Sequence, residues 1–375
     1  MTNKFIVMIV LCIGVWCSCT QPKKQAIDKK VIIGYVPGFR GSIEQLNVAA
    51  DKLTHINYAF VDVRDSMAWL TNEITDTVNF KYLVSLKRVN PELKILISVG
   101  GWSWSENFSD AVLTPSSRKK FAQSCVEIIR KHQLDGVDID WEYPGFKGED
   151  NVYRAEDKEN FTLMFQAIRE ELDELTKSTQ QHHLLTTAIP CFQEFIDKTE
   201  MGKLQAYLDF INLMSYDFYV NGDTAGHHTN LYPSFNYDNE QSGHRAYTEY
   251  TRAGVPAAKL VLGMAFYSRS WFMKSADNHG INRPVNTVTR GAGYTLLKDS
   301  IANRAGFTRF WDEQAKAAVL FNDSTFQMYS FDDEESIKHK CQYVMDHQMG
   351  GVMFWQYASD PKLYLLNAVN QYLPH

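Results

Sequence analysis

Eight short β-branched runs, separated by longer amphipathic stretches, predict an α/β chain closed into a (β/α)8 (TIM) barrel. The interval between the seventh and eighth runs is far longer than most others, which predicts a small α+β domain inserted after the seventh strand. Length agrees: a barrel needs roughly 250 residues, and the chain has 375.

The strands are expected at Val31–Val36, Ile56–Val61, Ile95–Val99, Gly136–Trp141, Leu184–Ile189, Phe210–Met214, Leu260–Met264 and Gly351–Trp355. Ser116–Gln133 is a helix because Phe121, Cys125, Ile128 and Ile129 recur at three- and four-residue spacing. Asp157–Thr176 repeats the pattern with Phe161, Met164, Phe165, Ile168 and Leu172. Weaker helical patterns fit Val78–Val89, Thr199–Leu208, His244–Ala253, Asp332–Asp346 and Pro361–Tyr372. An open doubly wound sheet would carry a glycine-rich first turn, and neither Gly34–Gly41 nor Gly291–Gly293 has that spacing in a strand–helix context. The inserted domain is read as 268–329, with strand-like pieces at Ala317–Phe321 and Thr325–Tyr329, inside a barrel domain spanning 30–375.

Residues 1–18 read as a signal peptide. Lys4 precedes an uncharged apolar run from Phe5 to Trp16, too short to span a bilayer. The run ends in Trp16-Cys17-Ser18-Cys19 and turns polar into a linker over 19–29. A cysteine at this point resembles the lipid-attachment site of bacterial lipoproteins. Cys19 is the better candidate because the small Ser18 precedes it. Lipidation would anchor an exported protein to the cell envelope, in the periplasm or at the cell surface; an ordinary cleaved signal would export it without an anchor. Of the six cysteines, only Cys125, Cys191 and Cys341 lie in the body of the chain, too scattered for a disulfide framework or a metal site.

Composition excludes some classes. The net charge of −6 offers no basic stripe for nucleic acid. An apolar fraction of 45% with 22% charged residues is that of a folded chain. His227-His228 stand in a Gly/Asn/Thr loop and read as solvated, without a ligand set at coordinating spacing, so no metal or cofactor is expected. The protein is expected to act as a monomer.

The chemistry is expected where the fourth strand ends. In Asp135-Gly-Val-Asp-Ile-Asp-Trp-Glu-Tyr-Pro144 the two-residue period of a strand puts Asp138, Asp140 and Glu142 on one face, and Val137, Ile139 and Trp141 on the other. Three carboxylates then project toward the C-terminal mouth, where barrel enzymes hold their sites. Like charges this close cannot all ionise, so a proton is retained. Glu142, nearest the mouth, is the natural general acid, with its pKa expected to be raised by its neighbours. A calcium loop spaces carboxylates similarly, but Val, Ile and Trp between them are strand formers.

This motif resembles the signature of glycoside hydrolase family 18, the chitinases and their relatives. Ser98-Val-Gly100-Gly101 is similar to the family's S-x-G-G, Met214-Ser-Tyr216-Asp217 to its M-x-Y-D, and Trp355 to the tryptophan flooring its site. The insertion, entered through Tyr267 and Arg269, resembles the chitinase insertion domain. The resemblance implies a retaining, substrate-assisted mechanism on chitin or other N-acetylglucosamine-containing glycans, in which the sugar's 2-acetamido oxygen is the nucleophile. It assigns proton donation to Glu142, orientation of the acetamido group to Asp140, Tyr216 and Asp217, and a shared proton to Asp138 and Asp140, with Tyr35 and Ser98 hydrogen-bonded nearby. Trp355 would stack under the sugar at the cleavage point. Trp102, Phe39 and Tyr267 are further platforms, Arg269 is a donor to sugar hydroxyls, and Gly101 and Met214 line the site. Phe60 and Phe266 read as packing. Three activities follow: a chitinase cleaving β-1,4 bonds, an endo-β-N-acetylglucosaminidase acting on N-glycans, or a non-catalytic glycan-binding, lectin-like protein. Glu142 and the insertion favour the first.

Overall fold

A computed structural model of the chain describes residues 29–220, 223–235, 241–304 and 306–375. The signal peptide, Cys19 and nearly all of the linker expected from the sequence lie outside the described residues.

Eight parallel strands form the centre: β1 (Val31–Pro37), β2 (His55–Arg64), β3 (Lys94–Gly100), β4 (Gly136–Asp140), β5 (Leu184–Pro190), β6 (Phe210–Met214), β7 (Leu260–Ala265) and β8 (Gly351–Trp355). Each pairs with the next in sequence, and β8 also pairs with β1, which closes the barrel. All eight coincide with the expected runs.

The helix Pro115–His132 begins in a capping box: Thr114 Oγ1 accepts from Ser117 N at 3.1 Å, and Ser117 Oγ accepts from Thr114 N at 3.0 Å. Such a cap contributes about 1 kcal/mol. Its apolar face, including Phe121, Cys125 and Ile129, is buried. The helix Asp157–Thr179 packs beside it. Two weaker expectations differ. The first helix runs Glu73–Ser85, earlier than expected, because Asn72 caps it by accepting from Thr75 N at 3.2 Å. Thr199–Leu208 contributes one short helix, Met201–Leu204, before turning toward β6.

Residues between β7 and β8 build most of a second, antiparallel sheet. Its order is Phe307–Asp312, Ala317–Asn322, Gln327–Phe331, Arg269–Met273, Arg283–Thr289 and Thr224–Ala225. Thr224–Ala225 belongs to the segment after β6, so that segment is tied to the sheet by β-pairing. The sheet has its own core around Trp271, Phe321 and Met328. A buried ion pair joins it to the barrel. Lys340 Nζ lies 2.7 Å from Asp332 Oδ2 and 2.7 Å from Thr229 Oγ1, and Asp332 Oδ2 also accepts from the β7 amide of Ala265 at 2.9 Å.

Candidate active site

The three acids of β4 differ sharply in surroundings. Asp138 is fully buried in the barrel interior. Its Oδ2 accepts from the Tyr35 hydroxyl (β1) and Ser98 Oγ (β3), both at 2.8 Å. Its Oδ1 accepts from Thr186 Oγ1 (β5) at 2.6 Å and Asn212 Nδ2 (β6) at 3.2 Å. Burial raises this carboxyl, and the four hydrogen bonds oppose the rise. Inward side chains of four other strands thus hold Asp138, and its charge helps to raise Asp140, the neighbour with which it is expected to share a proton.

Asp140 is also buried, and its Oδ1 has no hydrogen-bond partner. Burial drives its pKa well above the ordinary carboxylate value, with the charges of Glu142 and Asp138 adding to the effect. Glu142 lies just past the end of β4, half-buried, with its amide donating to Ser105 Oγ at 2.9 Å. Its pKa is pushed up from 4.5 to about 7, first by burial; Tyr143 opposes the rise, and the charges of Asp217 and Glu149 add to it. Burial is the largest cause here, and the repulsion expected within the acid row falls on Asp140, which the Glu142 charge raises. Trp141 turns the other way and stacks on Phe108 at 5.2 Å. The loop after Glu142 is held by Asp157, which accepts from Gly145 N at 3.1 Å and Arg154 N at 2.7 Å.

Asp217 follows β6 with φ of 60°, in the left-handed region that Asp tolerates better than most residues. Tyr267 Oη and Arg269 Nε each donate to its Oδ1 at 2.7 Å, and Arg269 Nη2 donates to Oδ2 at 2.6 Å. Burial alone would raise this carboxyl, but hydrogen bonds from His228 and Arg269 outweigh it and hold Asp217 well below the usual range. Arg269, expected as a donor to sugar, has its fork engaged by Asp217, and the Tyr267 hydroxyl is engaged likewise. The Tyr216 hydroxyl has only a weak acceptor, Met353 Sδ at 3.8 Å, which suits it to bind a ligand.

An aromatic wall faces these acids. Trp355 lies nearly parallel to Phe60 (centroids 5.4 Å, planes 18° apart) and Phe39 (6.4 Å, 11°). Phe39 is 45% exposed and Trp102 48%, so both offer open faces. Phe60, read as packing, is part of this wall. The β2 register shifts between Ala59 and Val61, so simple alternation assigns it to the wrong side. Phe266 is buried and stacks on Phe354 at 4.0 Å. Met214 packs in the barrel interior near Tyr216 and Trp355. Gly101 acts through its backbone. At φ 82° it donates its amide to the Asp140 carbonyl at 2.7 Å, and an added Cβ would stand 2.6 Å from the Phe60 ring.

His227 and His228 are fully buried, not solvated. The pairing of Thr224–Ala225 with the second sheet draws their loop inward; His227 Nε2 lies 3.2 Å from Asp312 and His228 Nδ1 3.4 Å from Asp217. Thr186, Asn212, Ser105 and His228 were missed. Thr186 and Asn212 leave a legible trace, a polar residue inside an apolar strand, whereas Ser105 and His228 act from loops whose path no periodicity reveals.

The family model for glycosyl hydrolases family 18 matches residues 31–360. Chitinase A1 of Niallia circulans is 34% identical over 93% of this chain and 59% of its own length. Chitotriosidase-1 of Mus musculus is 36% identical over 80% of this chain and 66% of its own. The chain thus spans about three-fifths to two-thirds of these curated relatives. The solved structure of a family 18 N-acetylglucosaminidase from Paenibacillus barengoltzii superposes with a TM-score of 0.86 at 40% identity, covering 92% of this chain and all of that one. The chain belongs to glycoside hydrolase family 18.

Proposed function

We propose that the protein hydrolyses β-1,4 bonds in chitin or N-acetylglucosamine oligomers, with retention and with assistance from the substrate. One observation carries this reading: the site offers a proton donor but no free carboxylate nucleophile. Asp138 is saturated by four donors, Asp140 is buried with its pKa raised, and Asp217 is clamped by Arg269 and Tyr267. Retention then requires a nucleophile from the sugar.

In the first step the acetamido oxygen bonds to the anomeric carbon as the glycosidic C–O bond breaks. The leaving oxygen takes the proton of Glu142, whose pKa of about 7 suits a general acid. Asp140 accepts a hydrogen bond from the acetamido N–H, and Tyr216 donates to its oxygen. In the second step the Glu142 carboxylate removes a proton from water, whose oxygen attacks the anomeric carbon and opens the oxazolinium ring. Two inversions at one carbon give retention. Trp355, flanked by Phe60 and Phe39, supplies an apolar platform for the sugar face.

The names of the relatives, chitinase and chitotriosidase, favour a chitin-type substrate. The N-acetylglucosaminidase, matched over its whole length, favours a second reading in which single N-acetylglucosamine units are released. Incubation with chitotetraose and with a high-mannose glycopeptide, followed by mass analysis, tests these readings. Cleavage of chitotetraose into dimers is expected, and monomer release would support the second reading. Cleavage of the glycopeptide alone would transfer the activity to N-glycans, and turnover of neither would leave a binding protein. The apolar run ending at Cys19 supports export and lipid anchoring. Metabolic labelling with a fatty acid, lost on Cys19→Ala, is the expected result; no label would leave an ordinary export signal.

A further inference from the structure

The loop after β6 carries a group that the scheme above does not use. His228 is completely buried, and its Nδ1 lies 3.4 Å from both the main-chain nitrogen and Oδ1 of Asp217. In one tautomer it accepts the Asp217 N–H; in the other it donates to the carboxylate. Either way it braces Asp217 from across the loop, eleven residues on in sequence. Its Nε2 is buried without a partner among the described residues.

The imidazole is itself held from several directions. Its residue's N–H donates to Ser330 Oγ at 2.9 Å on the second sheet, and its carbonyl accepts from Phe218 N at 3.3 Å. The ring faces Tyr267 at 5.3 Å. The neighbouring Thr229 Oγ1 lies 3.0 Å from Asp332 and 3.2 Å from the Ser215 carbonyl, so the loop grips the Met214–Asp217 turn at two points. The titratable and charged groups around the ring are Asp217, Tyr267, Arg269 and Asp332. Arg269 and Tyr267 fix the Asp217 carboxylate, whereas His228 reaches its main chain as well.

We infer that His228 is a positioning residue for the hydrolysis: its imidazole holds the left-handed turn at Asp217, and through it the Tyr216 hydroxyl and Asp217 carboxylate that face the acetamido group. This rests on the reading given under the proposed function. An Ala or Gln at 228 misplaces the acceptor, whereas Asn carries an oxygen close to where Nδ1 stands.

The test compares His228→Ala, His228→Gln and His228→Asn, each alone and with Asp217→Asn, in the full chain acting on chitotetraose. His228→Ala and His228→Gln are expected to lower kcat about tenfold or more with KM changed less than about twofold. The alkaline limb of kcat/KM should move to lower pH, because a displaced Asp217 no longer repels charge on Glu142. His228→Asn should restore most of kcat, and in the Asp217→Asn background the loss at position 228 should shrink but persist, because the main-chain bond that places Tyr216 remains. If His228→Ala does not fold, the contrast between Asn and Gln carries the same test. Variants that lower only the melting temperature, with kcat per folded molecule and the pH limb unchanged, would overturn the inference, as would effects additive with Asp217→Asn. If the wild-type protein cleaves no N-acetylglucosamine oligomer, the functional reading fails instead. Thermal double-mutant cycles between positions 228 and 217 then decide the positioning role, with coupling expected and additivity overturning it.

Discussion

Raising pH above neutrality should switch the enzyme off through Glu142. The group must be protonated to act as an acid, and burial holds its pKa at about 7 instead of 4.5. The sign follows directly: a raised carboxyl keeps its proton up to about pH 7 and loses it above. At pH 8 roughly one-tenth of the molecules carry the proton, and at pH 9 roughly one-hundredth, so kcat/KM should fall about tenfold per pH unit. An ordinary glutamate would place the same limb near pH 4.5. The assay is kcat/KM on chitotetraose from pH 5 to 9, with products counted by chromatography, because kcat/KM reports the free enzyme. Asp217→Asn removes a fixed carboxylate that raises Glu142, so the limb should shift downward in that variant. A profile flat to pH 9, or a limb unmoved by Asp217→Asn, would refute the assignment of cause.

Three other predictions follow from packing and geometry. Lys340→Met leaves Asp332 buried without its ion-pair partner and should destabilise the fold by about 3–5 kcal/mol; a loss below about 1 kcal/mol in urea unfolding would contradict this. Gly101→Ala should cost about 1–3 kcal/mol from its positive-φ, extended backbone alone and also displace Phe60, so both the melting temperature and KM should worsen. An unchanged protein would remove the backbone argument. Trp355→Ala should lower kcat/KM at least about tenfold, some 1.4 kcal/mol of transition-state binding, while leaving the fold intact; equal kinetics would exclude the platform role.

The barrel was legible because its strands are buried on both faces, and β-branched runs such as Ile95–Val99 and Leu260–Met264 stand out from the amphipathic stretches between them. The acid row was legible for a different reason: Asp138, Asp140 and Glu142 alternate with strand formers, so local period alone assigns their face. What could not be read is long-range. Thr186 reaches Asp138 because the two are register partners on adjacent strands, whereas the closed barrel brings in Asn212 from two strands away. Arg269 was legible as a nearby cation but not as the partner of Asp217, because that pairing depends on how the second sheet meets the segment after β6. The His227-His228 pair misled for the same reason. Its composition is that of an exposed loop, while its burial follows from the pairing of Thr224–Ala225 with Arg283–Pro284.

Proton donation by Glu142 to the leaving oxygen is the central step of the proposed hydrolysis. Its direct measurement is the steady-state rate of Glu142→Gln on chitotetraose. Substrate binding followed by calorimetry serves as the internal control. The amide keeps the shape of the carboxyl but has no acidic proton, so kcat should fall by about 10²–10⁴ with binding kept within a few-fold. A variant that binds normally and retains most of its turnover would contradict the account.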